Sequence, residues 1–163
     1  KRVVTFVCDS GNKYLSKMYD DRWMTEQGLL ERPTHGDLRD LIARLHDEGA
    51  VVTVAPSDTL HTAYTRMKLY DVSQVPVLDG RRCVGLLDES DILVALTQGT
   101  LDFNLPVKQA MTDKLVTVPA STPPERLVPL FDRGLVAIVV DGERFLGLIT
   151  RIDLLNHLRR KIS

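Results

Sequence analysis

Cysteine is nearly absent: Cys8 and Cys83 are the only two in 163 residues. Their separation fits neither a metal-ligand pair nor a redox pair, and two are too few for a disulfide framework, so both read as small buried hydrophobes. Histidine is scarce too, and His35, His46, His61 and His157 lack the spacing of metal ligands, which leaves them as expected surface or capping residues. No long apolar run exists; stretches such as Leu135 to Val140 fall far short of the ~20 residues that cross a bilayer. The chain opens without the charged-then-apolar leader of a secreted protein, so a cytoplasmic location is expected. An excess of one charge is also missing: the net charge is −1, with Lys and Arg scattered among Asp and Glu. That offers no stripe for nucleic acid or a membrane surface, while small neutral or zwitterionic ligands stay open. Phosphate-cradling loops, dinucleotide fingerprints and nucleophile elbows are absent as well.

What remains is an ordinary globular composition, 44% hydrophobic and 26% charged, and one strong internal signal. The stretch from Val51 to Leu93 and the stretch from Leu115 to Leu155 run through the same order of features. Thr53 matches Thr117, Gly80 matches Gly142, Gly85 matches Gly147 and Asp91 matches Asp153.

Each copy has a physical reading. A short strand (Val51 to Val54; Leu115 to Val118) runs into a Pro/Ser turn, where proline cannot donate to a ladder. Leu60, Ala63, Tyr64 and Met67 then recur on one face of a helix, whose partner around Leu127 and Phe131 is shorter. A hairpin follows in each, Gln74 to Leu87 turning at Asp79-Gly80 and Leu135 to Ile149 turning at Asp141-Gly142. Helices from Asp91 to Leu96 and from Asp153 to Leu158 close the copies. One β-α-β-β-α unit leaves an apolar sheet face exposed, so the two are expected to pack sheet against sheet as an α/β (α+β) fold with pseudo-twofold symmetry.

The chemically suggestive motif precedes each closing helix: Gly147-Leu148-Ile149-Thr150-Arg151-Ile152-Asp153, and Gly85-Leu86-Leu87-Asp88-Glu89-Ser90-Asp91. One reading is a capping box, with Thr150 accepting an N–H bond and Asp153 reaching back. The other is a ligand site, where the helix N-terminus and the Thr150 hydroxyl meet a polar group and Asp153 accepts from a ribose diol. The two readings share residues. Arg151 is open in the same way, between reaching a ligand anion and standing in solvent.

The repeat, with "VPVLDG" and "GLITRIDLL", resembles a tandem CBS-domain pair, the Bateman module of many regulatory proteins, over roughly residues 49–161. Gly147, Thr150 and Asp153 meet the family pattern; copy one departs from it, with Asp88 in place of Thr or Ser, and a carboxylate there repels phosphate. The resemblance implies an adenosyl ligand, S-adenosylmethionine or AMP, ADP or ATP, in a cleft built from both repeats. Carried over, the better site uses Val51 and Val52, Val72, Ser73, Gln74 and Val75, with Thr150, Ile152 and Asp153. The pseudo-symmetric weaker site uses Leu115, Val116, Leu135, Val136 and Ala137, with Asp88 and Asp91.

The opening "CDSGNKYLSKMYDDRWM" resembles the end of the pyridoxal-phosphate catalytic core in the cystathionine β-synthase and cysteine synthase family. A first residue Lys1 rather than Met agrees with a chain cut from something longer. The resemblance implies that Ser10 contacts the cofactor ring nitrogen in a full-length parent, while the fragment itself carries no cofactor, no metal and no catalysis. The expected organisation is residues 1–30 as a catalytic-domain remnant, 31–48 as a linker helix with Leu38, Leu41, Ile42 and Leu45 on one face, 49–105 as repeat one and 106–163 as repeat two. The function implied is a regulatory module of a cystathionine β-synthase, the pyridoxal-phosphate lyase that joins L-serine and L-homocysteine in transsulfuration and cysteine biosynthesis. Its expected partners are an adenosyl ligand, its own catalytic domain and a second copy of itself. The alternatives are a non-sensing oligomerisation module with vestigial pockets, or the regulatory module of a cysteine synthase paralogue.

Overall fold

The structure, a computed structural model, describes residues 24, 29–30, 35–42, 46, 51–98 and 102–162. The chain divides into two compact units, Lys1–Thr34 and His35–Ser163. The catalytic-domain reading of the opening stretch, with Cys8 and Ser10, falls outside the described residues.

In the second unit the first repeat comprises α1 (Leu60–Tyr70), β1 (Gln74–Asp79), β2 (Arg82–Asp88) and α2 (Glu89–Gln98). The Thr59 hydroxyl opens α1 by accepting from the Thr62 N–H at 3.2 Å, and Asp71 ends it in the left-handed region at φ 51°. The second repeat comprises β3 (Thr117–Pro119), a 3-10 turn (Pro124–Leu127), α3 (Val128–Asp132), β4 (Ala137–Asp141), β5 (Arg144–Ile149) and α4 (Arg151–Ile162). Prolines make α3 short: Pro124 starts the 3-10 turn, Pro129 is tolerated only in a first turn, and Gly134 at φ 76° closes the segment.

β1 and β2 form an antiparallel hairpin; β4 pairs antiparallel with β5 and parallel with β3. Gly80 and Gly142 both adopt φ 60°, as the Asp-Gly turns require. The internal symmetry extends to a register shift at the same place in each hairpin, between Val77 and Leu78 and between Val139 and Val140.

Two sequence expectations need correction. The first strand of copy one is a single bridge: Val54 donates to the Pro76 carbonyl at 3.2 Å and accepts from the Leu78 N–H at 2.8 Å. The neighbouring Thr53 carbonyl is taken by the Arg66 guanidinium instead of a ladder partner. Tyr64 also leaves the buried face of α1, standing 42% exposed with its ring edge-on to Phe103 at 5.9 Å. Leu60, Ala63 and Met67 carry the core alone on that helix.

Each repeat has its own core, and a third cluster joins them. Leu78 and Cys83 from the first hairpin meet Ile138 and Phe145 from the second, and the Phe145 N–H donates to the Arg81 carbonyl at 2.9 Å. The two hairpins therefore meet through this cluster.

The cores are also exchanged. Leu38, Leu41 and Ile42 precede the first repeat in sequence yet lie in the core of the second, beside Leu127, Phe131 and Leu154. Val107, Ala110 and Met111, which precede the first strand of the second repeat and fall inside its expected bounds of 106–163, pack on the core of the first. Both segments share the i, i+3, i+4 apolar pattern and open with a 3-10 turn, Leu38–Asp40 and Val107–Gln109. Each is pinned by its backbone to the turn after the other repeat's first strand: Leu38 N–H donates to Ala120 at 2.9 Å, and Lys108 N–H donates to Pro56 at 3.1 Å. The described part of the expected linker helix is thus a 3-10 turn inside a core; Leu45 lies outside the described residues.

Candidate functional site

The two motif positions fold into similar turns with different hydrogen bonding. Ahead of α2, Asp88 and Asp91 form a closed reciprocal box: the Asp88 N–H donates to Asp91 Oδ2 at 3.0 Å, and the Asp91 N–H donates to Asp88 Oδ1 at 2.8 Å. The Glu89 N–H also donates to the Ser73 carbonyl at 3.2 Å. Burial, and then the Asp88 charge beside it, raise the Asp91 carboxyl above its ordinary range, against the lowering effect of the Asp88 N–H.

Ahead of α4 the box is open. The Thr150 N–H and hydroxyl both donate to the same oxygen, Asp153 Oδ2, at 2.7 and 2.6 Å. The hydroxyl therefore donates to the carboxylate, which corrects the expectation that it accepts from the helix. Among the described residues, Asp153 Oδ1 receives no donor, and the N–H groups of Arg151, Ile152 and Asp153 find no acceptor. A helix start with free donors and one free carboxylate oxygen is equipped for a ligand that both accepts and donates.

The other expected site residues fall into two groups. Within the first repeat, Gln74 starts β1 directly opposite Asp88, Val75 is buried opposite Leu87, and Val52 and Val72 pack on the repeat's core. Within the second, Ala137 is buried opposite Ile149, Val116 accepts from the Ile138 N–H at 3.0 Å, and Leu135 donates to the Leu130 carbonyl at 3.1 Å. Val136 is half-buried between them. Strand register thus sets Ser73 and Gln74 beside Asp88, and Leu135 to Ala137 beside Thr150.

The link across repeats runs through the shared cluster. Val51 of the first repeat packs against it, as does Leu148, two residues before Thr150; Leu115 of the second repeat packs against the same cluster that holds Leu78 and Cys83. Ile152, 59% exposed, stands away from the core on the solvent side of α4.

A cavity of about 500 Å³ opens between the hairpins, with Cys83, Val84, Leu115 and Val140 as its apolar lining and Arg82, Asp113 and Glu143 at its edge. Leu115 is its one residue from the expected sites, and the sequence held no sign of the rest beyond strand alternation. Burial pushes the Cys83 thiol up to about 11, consistent with a packing role. Two histidines differ from the surface role expected of them. His46 lies edge-on to the Phe145 ring at 5.6 Å, and His157 has a buried Nε2 without a partner among the described residues.

The model of the CBS-domain family matches residues 38–98 and 107–160, and the chain belongs to that family. It is 31% identical over 119 residues to an A-adding tRNA nucleotidyltransferase of Geobacter sulfurreducens, covering 66% of this chain and 12% of that protein. It is 23% identical over 186 residues to a cystathionine beta-synthase of Dictyostelium discoideum, covering 98% of this chain and 35% of that one. The chain therefore spans about a third or less of these curated relatives. Among solved structures, CBSX2 in complex with AMP superposes with a TM-score of 0.67 at 20% identity, covering 78% of this chain and 98% of that one, a likeness of fold. The family matches begin at Leu38 and Val107, the residues that open the exchanged segments. No described helix is long and apolar enough to cross a membrane.

Proposed function

We propose that this tandem CBS pair senses an adenosyl ligand, S-adenosylmethionine or AMP, ADP or ATP, and regulates the pyridoxal-phosphate catalytic core of a cystathionine β-synthase. The observation that carries the ligand reading is the open start of α4, with a free Asp153 oxygen and unused N–H donors beside the Thr150 hydroxyl. A ribose 2′,3′-diol supplies the donor that Asp153 Oδ1 lacks, and an anionic or polar 5′ substituent supplies acceptors for the helix N–H groups. Val51, at the inter-repeat cluster, and the part-buried Val52 and Val72 supply apolar surface for adenine, with Val75 buried behind them and Ser73, Gln74 and Ile152 at its margin. The AMP complex of CBSX2, a protein of this fold, supports the same ligand class.

The parent reading rests on reach. The match to the Dictyostelium cystathionine beta-synthase extends over 98% of this chain, whereas those to the nucleotidyltransferase and to an inosine-5'-monophosphate dehydrogenase of Korarchaeum cryptofilum cover 66% and 63%. Ser10, assigned to the cofactor nitrogen in the parent, lies outside the described residues, and no catalytic step is derived through it.

A second reading, a non-sensing oligomerisation module, draws on the closed Asp88–Asp91 box, in which the Asp88 carboxylate already takes the Asp91 N–H that a ligand would otherwise meet. Calorimetry and thermal shift with the four ligands separate the two. A ligand at one hundred times its dissociation constant adds about 2.7 kcal/mol of stability. Asp153→Ala is expected to abolish the response and Asp91→Ala to leave it. Silence with all four ligands rejects the sensor and leaves the second reading.

A further inference from the structure

The shared cluster between the hairpins breaks the repeat symmetry at one position. Where β2 places Cys83, the matched position of β5 holds Phe145, which is fully buried with the His46 ring edge-on to it at 5.6 Å. A thiol leaves space that a phenyl ring fills, and the cavity of about 500 Å³ opens on the Cys83 side. Small-molecule sites have volumes of that order. Neither motif box contributes to its lining. Asp88 stands four residues beyond Val84 on β2, about 13 Å along a strand.

Charge breaks the symmetry at the same place. Arg82, Asp113 and Glu143 stand exposed at the edge of the cavity, and among the described residues their side chains form no hydrogen bond or ion pair. The matched positions of the other repeat are Arg144, Gly49 and Arg81, so both sides own the first guanidinium and only the Cys83 side has the two carboxylates. One cation and two anions therefore surround an apolar wall of Val84, Leu115 and Val140. A phosphate ester would set its charge against two carboxylates with a single guanidinium to hold it, and a polyamine would leave that guanidinium facing a cation. A zwitterion satisfies both signs: a carboxylate fits the planar fork of Arg82, and an ammonium has three donors to divide between two carboxylates.

We propose that this cavity binds an α-amino acid with an apolar side chain, its carboxylate on Arg82, its ammonium on Asp113 and Glu143, and its side chain over Val84, Leu115 and Val140. Arg82 and Val84 belong to the first hairpin, Val140 and Glu143 to the second, so the ligand bridges the two repeats. It takes no contact from Thr150 or Asp153, and it stands or falls apart from the adenosyl reading.

The test is titration calorimetry of the full chain with L-leucine and L-phenylalanine, and with leucinamide and 4-methylpentanoate, which lack the carboxylate and the ammonium in turn. Saturable binding of an amino acid is expected, with each leucine analogue about tenfold weaker or more. Arg82→Gln is expected to close the gap between L-leucine and leucinamide, and Asp113→Asn/Glu143→Gln the gap between L-leucine and 4-methylpentanoate. Cys83→Phe, which places in the cavity the ring that the matched position already carries, is expected to abolish binding, and circular dichroism confirms that each variant is folded. Asp153→Ala, the variant expected to silence the adenosyl response, is expected to bind L-leucine as the unaltered protein does. No saturable binding of either amino acid, gaps left unchanged by both charge variants, or loss of leucine binding in Asp153→Ala overturns the proposal.

Discussion

Replacing Leu38 by alanine removes a branched tip from a side chain that is 0% exposed among Leu127, Phe131 and Leu154 of the second repeat. Leucine-to-alanine changes in cores cost about 2–5 kcal/mol, the larger values where the walls cannot collapse. Here the walls belong to the 3-10 turn before α3, to α3 and to α4, and the Leu38 N–H stays tied to the Ala120 carbonyl at 2.9 Å. Three separately anchored walls place the expected loss at about 3–4 kcal/mol. For a unit of this size that amounts to a fall of about 10–15 °C in Tm. Urea unfolding followed by circular dichroism measures it as a drop in the midpoint with little change in slope. A double-mutant cycle then locates the contact: Leu38→Ala with Leu127→Ala is expected to be non-additive by ~0.5 kcal/mol or more, and Leu38→Ala with Leu60→Ala additive. A loss below ~1 kcal/mol, or coupling to Leu60 instead of Leu127, refutes the exchange of leading segments.

Gly142→Ala is expected to cost about 1 kcal/mol, because φ 60° is left-handed backbone where a Cβ is strained although nothing stands within 4 Å of it; denaturant unfolding reads it. In a Cys8→Ser background, Cys83 is expected to resist a thiol reagent at pH 8 until the protein unfolds, since burial holds its pKa near 11; rapid labelling of the folded protein refutes this. Burial, and then the charges of Lys161 and Arg160, lower the His157 pKa, while Asp40 and Glu125 oppose the shift. A base whose folded pKa lies below its unfolded value of about 6.5 binds protons more readily when unfolded, so stability is complete above that value and declines as pH falls through the folded one. His157→Gln is expected to flatten that decline in thermal melts taken between about pH 7 and 5.

Much of this architecture was legible before any coordinates. The hairpins were, because Asp79-Gly80 and Asp141-Gly142 between β-branched runs admit few alternatives, and both turns take φ 60°. The short second helix was too: Pro124 opens the turn before it and Pro129 stands in its first turn. Tyr64 was misplaced because a helical period selects a face about a third of the circumference wide, and the neighbouring Phe103, remote in sequence, draws its ring outward. The reduced first strand was hidden for a similar reason: Arg66, thirteen residues away, takes the Thr53 carbonyl. The motif was readable as residue types and spacing, yet both of its readings used the same atoms.

Sequence by itself therefore determined the repeat, the elements within it, the turns and the membership of Thr150 and Asp153 in one motif, because these depend on periods, propensities and neighbours a few residues apart. Tertiary structure alone decided that Leu38, Leu41 and Ile42 complete the second repeat's core while Val107, Ala110 and Met111 pack on the first's. It also decided that the Asp91 N–H is taken by the Asp88 carboxylate while, among the described residues, the Asp153 N–H is left without an acceptor. Burial is a property of distant partners brought together, and the direction of a hydroxyl's single proton depends on which acceptor the folded backbone sets beside it.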